Sequence, residues 1–222
     1  MTKKTLGRWF WFALVLVLSC PAVLSQVITG EELQVTISVY NDAEIPAVTL
    51  RQAEMEASHV FRQSGIEVKW LNCPLSVEGP EDLAHCRTAD FPEHLQLRIV
   101  PRSLNLNGIT LGISYLSADG IGCYADLFYE RAAQIHENSH LNLATILGHV
   151  AAHEIGHLLL GTNSHAPSGI MRARWESGEL VSASKGTLFF SAVESRQMRN
   201  KLATRHSTGK DDSHIETVRM GG

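Results

Sequence analysis

The sequence has little net charge, and several kinds of partner are disfavoured by what it lacks. Its 222 residues carry 19 Lys and Arg against 23 Asp and Glu, a formal net charge of -4. No basic cluster is interleaved with aromatic residues, so the composition argues against nucleic acid as a partner. No loop with the oxygen-ligand spacing of a calcium site stands out, although scattered oxygen ligands would escape such a search.

The sequence also lacks an apolar run long enough for a comfortable membrane span. The longest run extends from Trp9 to Leu18, follows several basic residues and precedes small and polar ones. This order is typical of a secretory signal peptide over residues 1–25. It predicts an exported protein, secreted or periplasmic, with no stable membrane span after cleavage. A lipoprotein anchored through an acylated Cys20 is the alternative.

The remaining length suits one compact domain better than two. We predict this domain over residues 26–205, followed by a polar tail over residues 206–222 that we expect to be disordered. A strand-like pattern begins near Leu33, which leaves little space for an inhibitory propeptide.

Cysteine is scarce, with four residues in the whole chain. In an oxidising compartment, Cys73 and Cys86 could close a short polar loop as a disulfide. Two free thiols or another pairing are the alternatives, since Cys123 is left over in any scheme. We expect Cys123 to act as a small buried hydrophobic residue, although it could also cap a metal.

One segment, residues 153–165, contains the parts of a hydrolytic metal site. His153 and His157 are four residues apart, so on a helix both imidazoles share one face and can bind the same zinc ion. Glu154 lies between them and can accept a proton from a metal-bound water. Gly161 can end the helix in a left-handed conformation, which lets the chain return His165 as a third ligand. Three protein ligands would leave the fourth zinc position open for catalysis.

The surrounding sequence supports this interpretation, and some alternatives stay open. Apolar residues with helical spacing span both histidines and predict a buried or half-buried helix. A carboxylate from Glu176, Glu179 or Glu194 could replace His165 as third ligand. We expect His149, one turn before His153, to be a half-buried polar residue, because ligands along one straight helix cannot all converge on one ion. The surroundings of four other histidines predict solvated side chains: His136, His140, His206 and His214.

After these residues comes a Gly-Ile-Met sequence, and with it the chain resembles the metzincin clan of zinc endopeptidases. The resemblance implies that Met171 forms a tight turn beneath the metal. In the family, glycine and the third histidine usually lie seven and ten positions after the first histidine. Here Gly161 and His165 lie at eight and twelve, and Asn163 occupies the usual place of the third ligand.

The resemblance also implies how substrate would bind. In this family the strand before the zinc helix usually supplies an exposed sheet edge that pairs with an extended peptide, which points to Cys123 through Tyr129. Some members place a tyrosine two residues after the turn methionine to assist the oxyanion. Here that residue is Ala173, and Arg172 or Arg174 could substitute, although surface charge is the ordinary interpretation of both arginines.

The elements along the chain predict an α/β (α+β) fold. The resemblance implies a metzincin-like zincin domain. Such a domain would have a twisted, mostly parallel sheet, an antiparallel edge strand, a zinc helix and a C-terminal helix. A right-handed crossover would join the first two strands. Ser191 and Glu194 form a capping-box pattern at the start of the last helix. The predicted strands cover residues 33–40, 66–70, 95–100, 112–116 and 123–129, and the predicted helices residues 48–64, 141–160 and 192–203.

These residues predict a secreted zinc metallopeptidase with one catalytic zinc ion and a peptide or protein substrate. Two alternatives remain. The first is a zinc hydrolase of another amide, such as a cell-wall or small-peptide bond. The second is a non-catalytic metal-binding module, which would have no need of Glu154. An iron oxygenase is disfavoured because its metal site uses two histidines and a carboxylate.

Overall fold

The computed structural model describes residues 33–74, 86, 88–102 and 110–204. The signal peptide over residues 1–25, Cys20 and the tail over residues 206–222 lie outside these ranges, so the corresponding predictions stay predictions. The strands are β1 (Gln34–Asn41), β2 (Glu67–Cys73), β3 (His94–Val100), β4 (Gly112–Tyr115) and β5 (Tyr124–Phe128). The helices are α1 (Ala47–Gln63), α2 (Tyr129–Ser139), α3 (Leu143–Leu160), α4 (Ser177–Ser184) and α5 (192–204).

The strands form one mixed sheet in the order β2-β1-β3-β5-β4. Strand β1 pairs in parallel with β2 and β3, and β3 pairs in parallel with β5. Strand β4 runs antiparallel to β5 and lies at the edge of the sheet. A mostly parallel sheet with an antiparallel edge strand is therefore confirmed, as is the parallel pairing of the strands that flank α1.

The prediction of which strand would form the edge was wrong. Residues 123–129 contain β5, which pairs with β3 on one side and with β4 on the other. The edge beside the site helix is β4 instead. The two strands are joined by a tight turn in which Ser117 N–H donates to Ile121 O over 2.9 Å. Local sequence predicts such a pair of strands but does not say which of the two faces the rest of the sheet.

The core lies between the sheet and helices α1 and α3. Strands β1 and β3 bury alternate apolar residues, and α1 buries the apolar stripe that its periodicity predicted. Helix α3 is buried at every position from Ile146 to Leu159. Among the described residues it alone is long and apolar enough to span a membrane, and 83% of that window is buried inside the protein. Its apolarity is therefore that of a core helix.

A glycine sets the spacing between α1 and α3. A methyl group added at Gly148 would lie 2.5 Å from the carbonyl oxygen of Ala53 and 2.6 Å from Cβ of Glu56. Because α1 backbone occupies that space, any larger side chain would push the helices apart. The close approach of the two helices thus depends on glycine at this position, since its side chain is a single hydrogen atom.

Two of the described helices were missing from the sequence-based prediction. Helix α2 is short and mostly polar and buries only Ala132 fully, so few apolar residues mark its buried face. Helix α4 starts with a capping box in which Glu176 stands in the place usual for serine or threonine, opposite Glu179. That pairing departs from the usual sequence pattern for a helix start.

The cysteines behave largely as expected. Cys73, at the end of β2, and Cys86 form a disulfide with a Cα–Cα distance of 5.7 Å. Cys123 is half-buried just before β5 and packs against the hydrophobic core. The disulfide ties the end of an outer strand to the segment that leads into β3.

We predict opposite effects for two glycine substitutions. Gly148→Ala should lower the free energy of unfolding by about 1–3 kcal/mol, because it overpacks the interface between α1 and α3. Gly178→Ala is the matched control, since an added methyl there meets no atom within 4 Å. It should stabilise the protein by about 0.5–1 kcal/mol through helix propensity. Urea denaturation measures both, and equal stability of the two variants would contradict the close approach.

Candidate metal centre

His153 and His157 present two aligned nitrogen atoms from the buried side of α3. Their side chains are largely buried, and their Nε2 atoms lie 3.0 Å apart. His153 Nδ1 lies 2.7 Å from the carbonyl oxygen of Ile170. His157 Nδ1 lies 2.8 Å from that of Thr162. A carbonyl oxygen only accepts, so each Nδ1 carries the hydrogen and each Nε2 is left with a lone pair.

A cation placed between these two lone pairs would stabilise them. Burial lowers the pKa of His153 to about 4 and also lowers the pKa of His157. Both rings are therefore neutral at neutral pH, and two unprotonated nitrogens facing each other at 3.0 Å repel. A metal ion between them would convert this repulsion into coordination. The backbone carbonyls that hold Nδ1–H fix ring orientation and tautomer, as metal sites commonly require.

His165 completes the group because the chain turns back at the end of α3. Gly161 adopts a left-handed conformation with φ of 68°, and its N–H donates to the carbonyls of His157 and Leu158. The next residues return the chain across the site, so that ligand atoms of His153, His157 and His165 all lie within 4.8 Å of one another. His165 is exposed, and partial burial lowers the pKa of its imidazole as well. All three rings are therefore available as neutral ligands.

The arrangement fits zinc. Zinc binds imidazole nitrogen at about 2.1 Å in tetrahedral geometry, which places the donor atoms about 3.4 Å apart. The separation of 3.0 Å between the helical histidines is close to this value. The ligand atom of His165 lies within 4.8 Å of both. Three neutral imidazoles without a carboxylate favour zinc over magnesium or calcium.

The longer spacing is accommodated by the end of the helix and the turn after it. Helix α3 continues to Leu160, and Thr162 N–H still donates to His157 O over 3.3 Å. Asn163, at the usual ligand position, lines the same cleft, but the histidine cluster is closed by His165. The extra residues thus carry the third histidine back to the site.

The alternative carboxylate ligands are engaged elsewhere. Glu176 and Glu179 both pair with Arg172, with nitrogen to oxygen distances of 2.9 Å. Glu194 accepts a hydrogen bond of 2.7 Å from Ser191 N–H in the capping box that the sequence predicted. These contacts leave His165 as the third candidate ligand.

The other histidines take different positions. His149 is completely buried rather than half-buried, and its Nδ1 lies 2.8 Å from Thr145 O. The reason is that α3 is covered on all sides, which the hydrophobic pattern alone did not reveal. His136 and His140 are exposed, in agreement with a solvated surface. His206 and His214 lie outside the described residues.

Glu154 lies beside the histidines with a largely buried carboxyl group. It is 4% exposed, and burial raises its pKa to about 7, against the opposing effect of the hydrogen bond from Ser114. Its Oε2 lies 2.7 Å from Ser114 Oγ on strand β4. A carboxyl group with a pKa near neutrality can both accept and return a proton, as general acid–base catalysis requires. Sequence reasoning did not find Ser114, because a single serine in a short strand carries no recognisable spacing.

Met171 lies in a tight turn. Ala166 N–H donates to Met171 O over 2.8 Å, and Arg172 N–H to Gly169 O over 3.1 Å. The Met171 side chain is 1% exposed and packs against α3 at Gly156, where an added methyl group would lie 3.0 Å from its sulfur. The turn therefore packs under the helix between the two histidine positions. It also supplies Ile170 O to His153.

The site opens into a cleft of about 600 Å³. Strand β4 forms one wall and the segment from Arg172 to Trp175 another. Trp175 Nε1–H donates to Ile170 O over 3.1 Å, so the ring is held next to the histidines. The Arg172 guanidinium forms ion pairs with Glu176 and Glu179. Ala173 and Arg174 are exposed at the cleft. The sequence could not place the residues that line the depth of the cleft, such as Ile135 and Val150, because they come from different helices.

Comparison with solved structures places the fold. A zinc-dependent peptidase from Methanocorpusculum labreanum is 18% identical, with a TM-score of 0.50 over 73% of this chain and 99% of that one. An archaemetzincin from Methanopyrus kandleri is 17% identical, with a TM-score of 0.45 over 80% and 99% of the two chains. Metalloproteinase-II from Bacteroides fragilis is 15% identical, with a TM-score of 0.45 over 77% and 53%. The first likeness shows that this chain shares the fold of a zinc peptidase.

Comparison of sequences adds no closer assignment. No protein-family model matches this chain, and no curated protein matches it.

We predict that substitution of His165 weakens zinc binding far more than substitution of Asn163. His165→Ala removes one of three nitrogen ligands, whereas Asn163→Ala changes an exposed neighbour on the same turn. Competition with a chromogenic chelator should show one tightly bound zinc in the parent and in Asn163→Ala, and binding at least ~100-fold weaker in His165→Ala. Equal loss in both variants would contradict the assignment of His165.

The ion pair between Arg172 and Glu179 should make the stability of the protein depend on pH in the acid range. Hydrogen bonding to Glu176 N–H, together with Arg172, lowers the pKa of Glu179 below its ordinary value of 4.5. A lowered pKa contributes stability that is present above 4.5 and is lost as the pH falls through the folded-state value. Glu179→Gln should therefore lose less stability than the parent between pH 6 and acid conditions, as followed by thermal unfolding. Parallel pH profiles would contradict a charged pair at this position.

Proposed function

We propose that this protein is an exported, zinc-dependent endopeptidase. Zinc would be held by His153, His157 and His165, with Glu154 as general base. The observation that carries the proposal is the combination of three neutral imidazoles facing one point and a buried carboxyl group next to them, at an open cleft. A structural zinc site would be closed by a fourth protein ligand and would not need the acid. The shared fold with a zinc-dependent peptidase agrees with this function.

The chemistry divides between the metal and the chain. Zinc held by the three histidines would polarise a peptide carbonyl and lower the pKa of a water molecule. Glu154 takes a proton from the attacking water and returns it to the leaving amine. The carbonyl oxygens of Ile170 and Thr162 keep two imidazoles in the ligating tautomer. The protein thus orients the imidazole ligands through backbone carbonyls and supplies a fixed carboxyl group for proton transfer.

Strand β4 is the proposed binding edge for the peptide. It pairs only with β5 among the described strands, so its outer backbone groups can bond an extended chain. Gly112 and Ser114 of this strand line the cleft next to Glu154. A peptide added along β4 would therefore pass the candidate metal centre in an extended conformation. This location replaces the expectation that residues 123–129 bind the substrate.

Export is proposed from the N-terminal sequence. Residues 1–25 have the order of a signal peptide, and an acylated Cys20 would leave the protein attached to a membrane as a lipoprotein. The disulfide between Cys73 and Cys86 supports an oxidising compartment, because such bonds are rare in the cytosol.

Substitution of Glu154 tests the proposed function directly. Glu154→Gln keeps the size of the side chain but cannot take the proton, so we expect hydrolysis to fall by about 10²–10⁴-fold. The substrate is heat-denatured casein, and cleavage is followed by mass spectrometry of the released peptides. One zinc per chain should remain bound.

The matched control is Glu130→Gln on the exposed start of α2, which should cleave as the parent does. Zinc binding without cleavage of casein by the parent would contradict a general endopeptidase. Cleavage of peptidoglycan or of short peptides instead would then support the alternative hydrolase. Absence of zinc from all forms would contradict both.

A further inference from the structure

Ser114 is the nearest polar partner of the candidate general base. Its hydroxyl oxygen lies 2.7 Å from Oε2 of Glu154 and 2.8 Å from the backbone carbonyl oxygen of the same residue. Ser114 is 6% exposed and Glu154 4%, so water competes poorly for either group. The contact joins edge strand β4 to the middle of α3.

The hydroxyl has one hydrogen for two acceptors. While the Glu154 carboxyl is ionised, the Ser114 hydrogen can point to Oε2. The other oxygen, Oε1, is then the one that can take up a proton, and Oε2 remains the acceptor of the same Ser114 hydrogen. The heavy atoms keep the same positions in both forms, so the carboxyl group stays hydrogen-bonded to Ser114.

Gly112, two residues before Ser114 on the same strand, also restricts the Glu154 side chain. A methyl group added at Gly112 would lie 2.6 Å from Cγ and 2.7 Å from Cδ of Glu154. The side chain therefore packs directly on the strand, with no space for another residue in between. With Oε2 bound to Ser114, the second oxygen, Oε1, is the one available to the cleft.

We propose that Ser114 is a positioning residue that binds Oε2 of Glu154 and so keeps Oε1 directed to the cleft. The inference rests on the proposed function, in which Glu154 accepts and returns a proton in each cycle. Oε1 is the oxygen that exchanges the proton, so the hydrogen bond from Ser114 to Oε2 is not broken in the transfer. The carboxyl group thus remains aligned through the transfer, which limits the reorganisation that accompanies it.

The test compares Ser114→Ala with Ser38→Ala. Ser38 is also a buried serine of the sheet, and its Oγ is hydrogen-bonded to His94 Nε2 at 2.8 Å, away from the site. Zinc content, unfolding temperature, kcat and KM are measured for a fluorogenic peptide taken from a casein cleavage site. Crystal structures of the zinc-loaded parent and of Ser114→Ala provide a readout that does not depend on hydrolysis.

We expect Ser114→Ala to keep one zinc and its KM, while kcat falls about 10- to 100-fold, as loss of a hydrogen bond to a charged group predicts. The Glu154 carboxyl should be rotated or split between positions in its crystal structure. Ser38→Ala should lose stability but keep kcat.

An unmoved carboxyl group in the Ser114→Ala crystal structure would overturn the proposal, as would an equal fall of kcat in both variants. If the parent cleaves no peptide, the proposed function fails on its own. The crystal structures then still decide whether Ser114 holds the carboxyl group.

Discussion

The burial of α3 is the constraint on which the candidate site depends. The helix is covered by α1, by the sheet and by the turn that contains Met171, and its residues from Ile146 to Leu159 are buried throughout. Close-packed surroundings leave its side chains few alternative rotamers. His153, Glu154 and His157 therefore project from a support that cannot tilt without opening the core. Gly148 lets α1 approach, and Gly156 makes space for Met171 and Phe190.

Burial also makes each polar group on this helix costly unless it has a partner. Two backbone carbonyls accept from the Nδ1 atoms of His153 and His157, and Ser114 binds Glu154. These partners lie on three different segments: the turn after α3, the turn before Met171, and strand β4. What remains unsatisfied at the centre is a pair of imidazole lone pairs. The fold has thus provided hydrogen bonds for the supporting atoms and left the candidate metal-binding atoms facing the cleft.

The sequence-based predictions succeeded where the signal is local and periodic. The strands, the long helices and the glycine stop at Gly161 follow from patterns of a few residues, and the structure places them within a few residues of the predicted bounds. Predictions failed where non-local contacts decide or where the local signal is weak. The resemblance placed residues 123–129 at the sheet edge, and the local sequence of a hairpin does not specify which strand faces the sheet. Helix α2 was missed because it is short and mostly polar, and α4 because glutamate rather than serine begins it.

The sequence alone determined the chemistry that the candidate site can perform, since the spacing of His153, Glu154 and His157 on one helix requires only the α-helical period. It also indicated His165, because a left-handed glycine after the helix reverses the chain. Only the tertiary structure decided that His165 approaches the helical pair, that β4 forms the wall of the cleft, and that Ser114 binds the carboxyl group. Ser114 lies 40 residues from Glu154 in the chain, and the contacts of β4 and of the turn after α3 are set by how sheet, helix and turn pack together. Packing of this kind leaves no repeating pattern in the sequence.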